Sequence, residues 1–128
     1  MEQSLQQQKR KERIQILEAL YQMEFQDKEL KEQTNDVTNT VSEIIKHKEQ
    51  IDQVLTEHSQ NWKLSRMALL DLNILRLAVY EILFSSEKES PKIFINEAIE
   101  IAKIYGSSDS PRFINGILDS IALKERQE

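Results

Sequence analysis

The sequence predicts an all-α fold. Only two glycines and two prolines interrupt 128 residues, no stretch alternates apolar and polar residues over strand length, and apolar residues recur in steps of three and four. A chain of this length forms one domain, able to bury roughly two-thirds of the surface its unfolded form exposes, so a single core suffices. The absence of cysteine excludes disulfides, thiolate zinc sites and cysteine nucleophiles, and agrees with a reducing compartment. No run reaches the length of a membrane span, and the N-terminal MEQSLQQQKRKER lacks the apolar stretch of a signal peptide. A soluble cytoplasmic protein with no membrane partner is expected.

The first helix is expected from about Leu5 to Gln26. Its polar first turns should fray, and Ile14, Leu17, Ala19, Leu20 and Met23 then recur at helical spacing. DKELKEQTND is polar throughout and reads as a connection. Val37, Val41, Ile44, Ile45, Lys48, Ile51, Val54, Leu55 and His58 step by threes and fours and predict one long amphipathic helix with a narrow apolar stripe, capped by Asp36. Between Leu69 and Phe84 the segment WKLSRMALLDLNILRLAVYEILF is apolar on nearly every side, which places this helix at the centre of the fold. Arg76 is the one charge in its NILRLAVY portion and must be paired, with Glu81 or Glu97 as candidates.

Ser90-Pro91 starts the next helix, because serine caps well and proline is pre-set for the first helical position. PKIFINEAIEIAKIY ends at Gly106, a residue suited to a left-handed C-cap. Ser110-Pro111 repeats the start signal before RFINGILDSIALKE. Gly116 inside that helix costs up to about 1 kcal/mol relative to alanine. Close approach of another helix, bridged by Asn96 and Asn115, would account for it.

The formal charge of −5 argues against a polyanion ligand, but its distribution is uneven. Lys9, Arg10, Lys11 and Arg13 face only Glu2 and Glu12 within the first thirteen residues, whereas Asp27 to Glu57 holds eight acids and four lysines. Local potential, not net charge, decides where a polyanion docks. Catalytic chemistry is not offered. His47 and His58 stand eleven residues apart on the expected long helix, about 16 Å along its axis, and cannot share a metal. There is no phosphate loop, nucleophile elbow or H-E-x-x-H, and acid pairs such as Glu97 with Glu100 or Asp27 with Glu29 read as solvating charge. No enzyme, metal or cofactor is expected.

NILRLAVYEILF, followed by INEAIEIAKIYGSSDSPRFINGILDSIA, resembles the NusB family of bacterial transcription antitermination factors, densely from Trp62 to about Ala122. The N-terminal KRKERIQILEALYQME resembles the family's basic start and its Ala-Leu-Tyr. From about Asp27 to Gln60 nothing matches beyond helical character, and the short helix common there is expected to be reduced or absent. The resemblance implies one domain over residues 1–128, built as two small helical bundles packed across each other, with about six to seven helices. It also implies a role. Such a protein holds the boxA element of nascent ribosomal RNA together with NusE, a small-subunit ribosomal protein, and acts with other Nus factors on RNA polymerase. The same domain also occurs fused ahead of a ribosomal RNA cytosine methyltransferase; with the sequence ending at Glu128, the stand-alone factor is expected. A second copy of the chain is a further candidate partner.

Lys9, Arg10, Lys11 and Arg13 fall where the family carries its arginine-rich RNA-binding segment. Two of the four are lysines, which hold phosphate as point charges without the arginine fork. Tyr21 lies close to the helix face of Arg10, Arg13 and Leu17, where it either stacks on an unpaired base or sits at the core edge with its hydroxyl in water. Tyr105, Asp109 and Phe113 fall on the family's RNA-contacting aromatics and acid. Phosphates repel an acid, so Asp109 would accept from a base amino or imino group; the alternative is helix capping, for which Ser110 is better placed. Asp71 and its exposed neighbours are expected to meet NusE. The sequence also admits a helical scaffold that binds no RNA and whose basic end only faces solvent.

Overall fold

The computed structural model describes residues 4–26, 35–60, 62–87 and 89–127. Among these, all regular structure is helical, as predicted. Helix α1 spans Leu5–Gln26 and buries Ile16, Leu17 and Ala19. Its start is held by a capping box: Gln7 N–H donates to Ser4 Oγ at 3.1 Å, and Ser4 N–H donates to Gln7 Oε1 at 3.0 Å. The first turn, expected to fray, is therefore tied down. The expected connection falls mostly outside the described residues; its last two residues, Asn35 and Asp36, are already helical.

Two helices, not one, follow: α2 over Asn35–Lys46 and α3 over Lys48–His58. The break is at His47, whose φ of −100° and ψ of 9° leave the helical region. Backbone bonds from His47 N–H to Glu43 O at 3.0 Å and from Ile51 N–H to His47 O at 2.9 Å carry the chain across it. The His47 ring stacks on Phe84, with centroids 4.8 Å apart. Val37, Val41 and Ile44 are buried before the break, and Ile51 and Leu55 after it. Asp36 sits inside the first turn of α2 and not at its cap, so its charge complements the helix dipole.

Helix α4, Leu69–Val79, buries Leu72, Asn73, Ile74, Leu75, Leu77, Ala78 and Val79 and packs against α1, α3, α5 and α6, the central place predicted for it. It runs on as a π-helical turn, Tyr80–Phe84, closed by Ser85 N–H on Tyr80 O at 2.8 Å. Arg76 is paired as physics required, but with Asp52 of α3: Nε to Oδ1 at 2.9 Å and Nη2 to Oδ2 at 3.0 Å, with Nη1 donating to Asn73 Oδ1 at 3.3 Å. Neither expected partner is used, because Glu81 and Glu97 face α1 instead.

Helices α5, Pro91–Tyr105, and α6, Ser110–Gln127, make the most extensive helix pair. Ser90 caps α5 as predicted, its Oγ accepting from Lys92 N–H at 3.4 Å. Gly106 is extended, with φ −89° and ψ −174°, so it is no left-handed cap. Glycine is required there by crowding: a Cβ would stand 2.7 Å from Ser110 Cβ and Oγ. Gly116 has nothing within 4 Å and is exposed, so the expected close helix approach, with Asn96 and Asn115 across it, does not exist. Ser110 is buried in the first turn of α6, its Oγ accepting from Ser107 N–H at 3.0 Å, and the capping position passes to Asp109, whose carbonyl accepts from Phe113 N–H at 3.1 Å. His58 Nδ1 meets Ser120 Oγ at 2.7 Å and ties α3 to α6. Among the described residues no helix is long and apolar enough to cross a membrane.

Candidate nucleic-acid interface

Helix α1 carries the whole basic segment, and its four cations have different fates. Arg13 turns inward: its side chain is 9% exposed, with Nε 3.0 Å from Glu81 Oε1 and Nη2 2.8 Å from Glu81 Oε2. Its Nη1 stands 3.9 Å from Glu97 Oε1, and its guanidinium lies 5.9 Å from the Phe94 ring centroid. Burial opposes the Arg13 charge, but the Glu81 hydrogen bond and the charges of Glu81, Glu97 and Glu87 outweigh it and hold the pKa above its ordinary value. Glu81 bears the cost. Its own burial, with Glu87 and Glu97 adding to it, pushes its carboxyl up despite the opposing Arg13.

Arg10 lies half-exposed over the same network, both Nε and Nη2 donating to Glu97 Oε2 at 2.9 and 2.8 Å. Lys9 Nζ stands 3.8 Å from Glu87 and 3.7 Å from Glu89. Lys11 is exposed and makes no ion pair with a described residue. The basic segment is thus matched by Glu81, Glu87, Glu89 and Glu97, brought to it from the end of α4, the following loop and α5.

Past Lys11 the outer face of α1 forms grooves with the end of α5. One is lined in part by Arg10, Lys11, Ile14, Glu18 and Tyr105. The adjoining one, about 330 Å³, is lined by Ile14, Leu17, Glu18, Tyr21, Gln22, Leu70 and Tyr105. Tyr21 and Tyr105 are 53% and 54% exposed, so both tyrosines meet solvent at a mostly apolar groove. The structure therefore brings together Arg10, Lys11, Tyr21 and Tyr105. Asp109 is exposed at the start of α6, and among the described residues no backbone N–H donates to its carboxylate. Phe113 goes elsewhere: it is partly buried against the core and meets Trp62 edge-on, with centroids 5.9 Å apart. Asp71 is half-buried in the first turn of α4, next to the groove residue Leu70.

Ile14, Glu18 and Leu70 are groove residues that sequence reasoning missed, although Ile14 and Glu18 sit one and two turns beyond Arg10 on its own face. No group of three or more metal-binding side chains occurs among the described residues.

Comparison with known proteins bears on the whole arrangement. The transcription antitermination protein NusB of Geobacter sulfurreducens is 55% identical over 80 residues, covering 62% of this chain and 56% of that protein. That of Desulfitobacterium hafniense is 59% identical over 76 residues, covering 59% of this chain and half of that protein. The matched segment thus spans between half and two-thirds of the length of these curated relatives. The solved structure of T. maritima NusB matches with a TM-score of 0.82 at 34% identity, over 97% of this chain and 94% of that one. A solved complex of the antitermination factors NusB and NusE with dsRNA shares the fold, at a TM-score of 0.77 and 21% identity. A sequence profile of the NusB family matches residues 2–123, and with that span and this fold the chain belongs to the NusB family.

Proposed function

We propose that the chain is a transcription antitermination factor that binds the boxA RNA of ribosomal RNA operons together with NusE, acting with other Nus factors on RNA polymerase in the cytoplasm. The observation that carries this reading is the juxtaposition on α1 and α5. Arg10 and Lys11 line one groove with the exposed Tyr105, and Tyr105 with the exposed Tyr21 lines the adjoining one. Cations beside aromatic platforms hold a backbone and stack unpaired bases. Lys9, Arg10 and Lys11 then take phosphates, Tyr21 and Tyr105 take bases, and Asp109 accepts from a base donor. Arg13 and Phe113 serve from behind, Arg13 by fixing α1 on Glu81 and Phe113 by supporting Trp62. Asp71 and its surroundings receive NusE. Fluorescence anisotropy with boxA-like RNA tests this: binding should tighten when NusE is added, and no binding even with NusE at low salt rejects it.

One observation favours a second reading, a helical scaffold that binds no RNA: four acids already match the basic segment. Replacing Lys9, Arg10 and Lys11 with glutamine separates the two. RNA binding falls under the first reading, and NusE binding and function are untouched under the second. Arg13 stays in place in that experiment, since its loss would disturb the fold.

A further inference from the structure

We propose that Glu97 is a positioning residue that aims the Arg10 guanidinium at an RNA phosphate; the proposal rests on the RNA-binding reading above. Glu97 is 5% exposed, so its carboxylate is a fixed point within the packed interior. Both of its oxygens face cations. Oε2 accepts from Arg10 Nε at 2.9 Å and Nη2 at 2.8 Å, and Oε1 faces Arg13 Nη1 at 3.9 Å. Arg13 is in turn locked on Glu81, so the acid that holds Arg10 is itself braced from below.

The chemistry of the fork makes this more than neutralisation. Nε and Nη2 form one edge of the guanidinium, and Glu97 occupies that edge. The remaining edge, Nη1 with the second hydrogen of Nη2, makes no bond to a described residue. It is the edge whose parallel N–H groups match two oxygens of a phosphate. Arg10 is 30% exposed and lines grooves on both of its sides, one of them the groove shared with Lys11 and Tyr105. A flexible arginine must lose rotamer freedom to hold a phosphate, whereas one already clamped has little left to lose. Arg10 therefore acts as a bidentate ligand, and Lys9 and Lys11 as point charges.

The test is a double-mutant cycle with Arg10→Gln and Glu97→Gln, read by anisotropy with boxA-like RNA and NusE across a salt series. Arg10→Gln should weaken binding about tenfold, the worth of one charge-assisted contact, and lower the salt slope by about 0.7. Glu97→Gln should reproduce both effects, and the double variant should be no weaker than either single one. A Glu97→Gln protein that binds RNA as well as or better than the parent makes Glu97 only a counter-charge. Effects of the two substitutions that multiply also overturn positioning. The Arg10 Nε–H NMR resonance, slow to exchange in the parent and fast in Glu97→Gln, reads the clamp without RNA. A fast resonance in the parent rejects the clamp itself. A slow one in a parent that binds no boxA-like RNA rejects the RNA-binding reading, and this proposal with it. Thermal unfolding of each variant separates loss of fold from loss of aim, and Glu97→Asp, which shortens the clamp and keeps the charge, should restore part of the salt slope.

Discussion

Asp109 illustrates how a residue can occupy a structural position and leave its side chain for other use. Its carbonyl accepts the first backbone bond of α6, while its carboxylate is exposed and caps no backbone N–H among the described residues. Asp109→Asn should therefore change RNA affinity or base selectivity while stability moves by less than about 0.5 kcal/mol; a large fall in melting temperature with normal RNA binding would return it to a structural role. The two glycines give a paired prediction of opposite sign. Gly116→Ala, in an exposed helix interior with open space, should stabilise by up to about 1 kcal/mol, whereas Gly106→Ala should destabilise, since its Cβ would stand 2.7 Å from Ser110 Cβ. Urea midpoints decide both. The cost of Gly116 was legible in the sequence, but its cause was not, because periodicity locates a glycine on a helix without saying what stands opposite.

At the scale of elements, the largely buried pair of Arg13 with Glu81 joins α1 to the π-helical end of α4. Removing Arg13 leaves the buried Glu81 carboxylate without its cation, while Glu97 keeps Arg10, and should cost roughly 3–5 kcal/mol, read by chemical denaturation. The raised pKa of Glu81 gives a pH test. Above the ordinary carboxylate value the unfolded chain has released this proton while the folded chain retains it, so this group's contribution is fully present at lower pH and is lost as pH rises through the folded pKa. Glu81→Gln cannot titrate. Its denaturation midpoints should fall less steeply than the parent's over that window, and parallel curves would show that Glu81 ionises normally. None of this pairing was visible beforehand, because Glu81 and Glu97 lie 68 and 87 residues from the arginines they meet. The break at His47 was hidden for another reason: Ile44 and Ile51 keep helical spacing across it, so the apolar stripe continues where the backbone does not.

For the whole molecule, fold class and the central place of α4 were legible because both follow from periodicity, and α4 is apolar almost all round. The Arg76 partner was not, since Asp52 lies in the segment with the weakest family resemblance and only tertiary packing brings it across. The candidate site was half legible: Arg10, Lys11 and Tyr105, singled out from the sequence, line one groove, while the acids that meet the basic segment were not foreseen. At this scale the RNA prediction is a sum over contacts. Replacing Lys9, Arg10 and Lys11 together should lower the salt slope for single-stranded RNA by about 2, at roughly 0.7 per phosphate. A larger loss on adding Arg13→Gln to a variant shown to remain folded would mean that the buried arginine also reaches the backbone.

The matching of the basic segment by Glu81, Glu87, Glu89 and Glu97 also bears on time. Paired charges cast a field that fades within a few ångströms, and the chain as a whole carries −5. A polyanion approaching from a distance is not drawn in, so encounter should proceed near the unsteered rate of about 10⁵–10⁶ M⁻¹s⁻¹. On the RNA-binding reading proposed above, affinity comes from how long the ligand stays once seated, and added salt should shorten residence far more than it slows arrival.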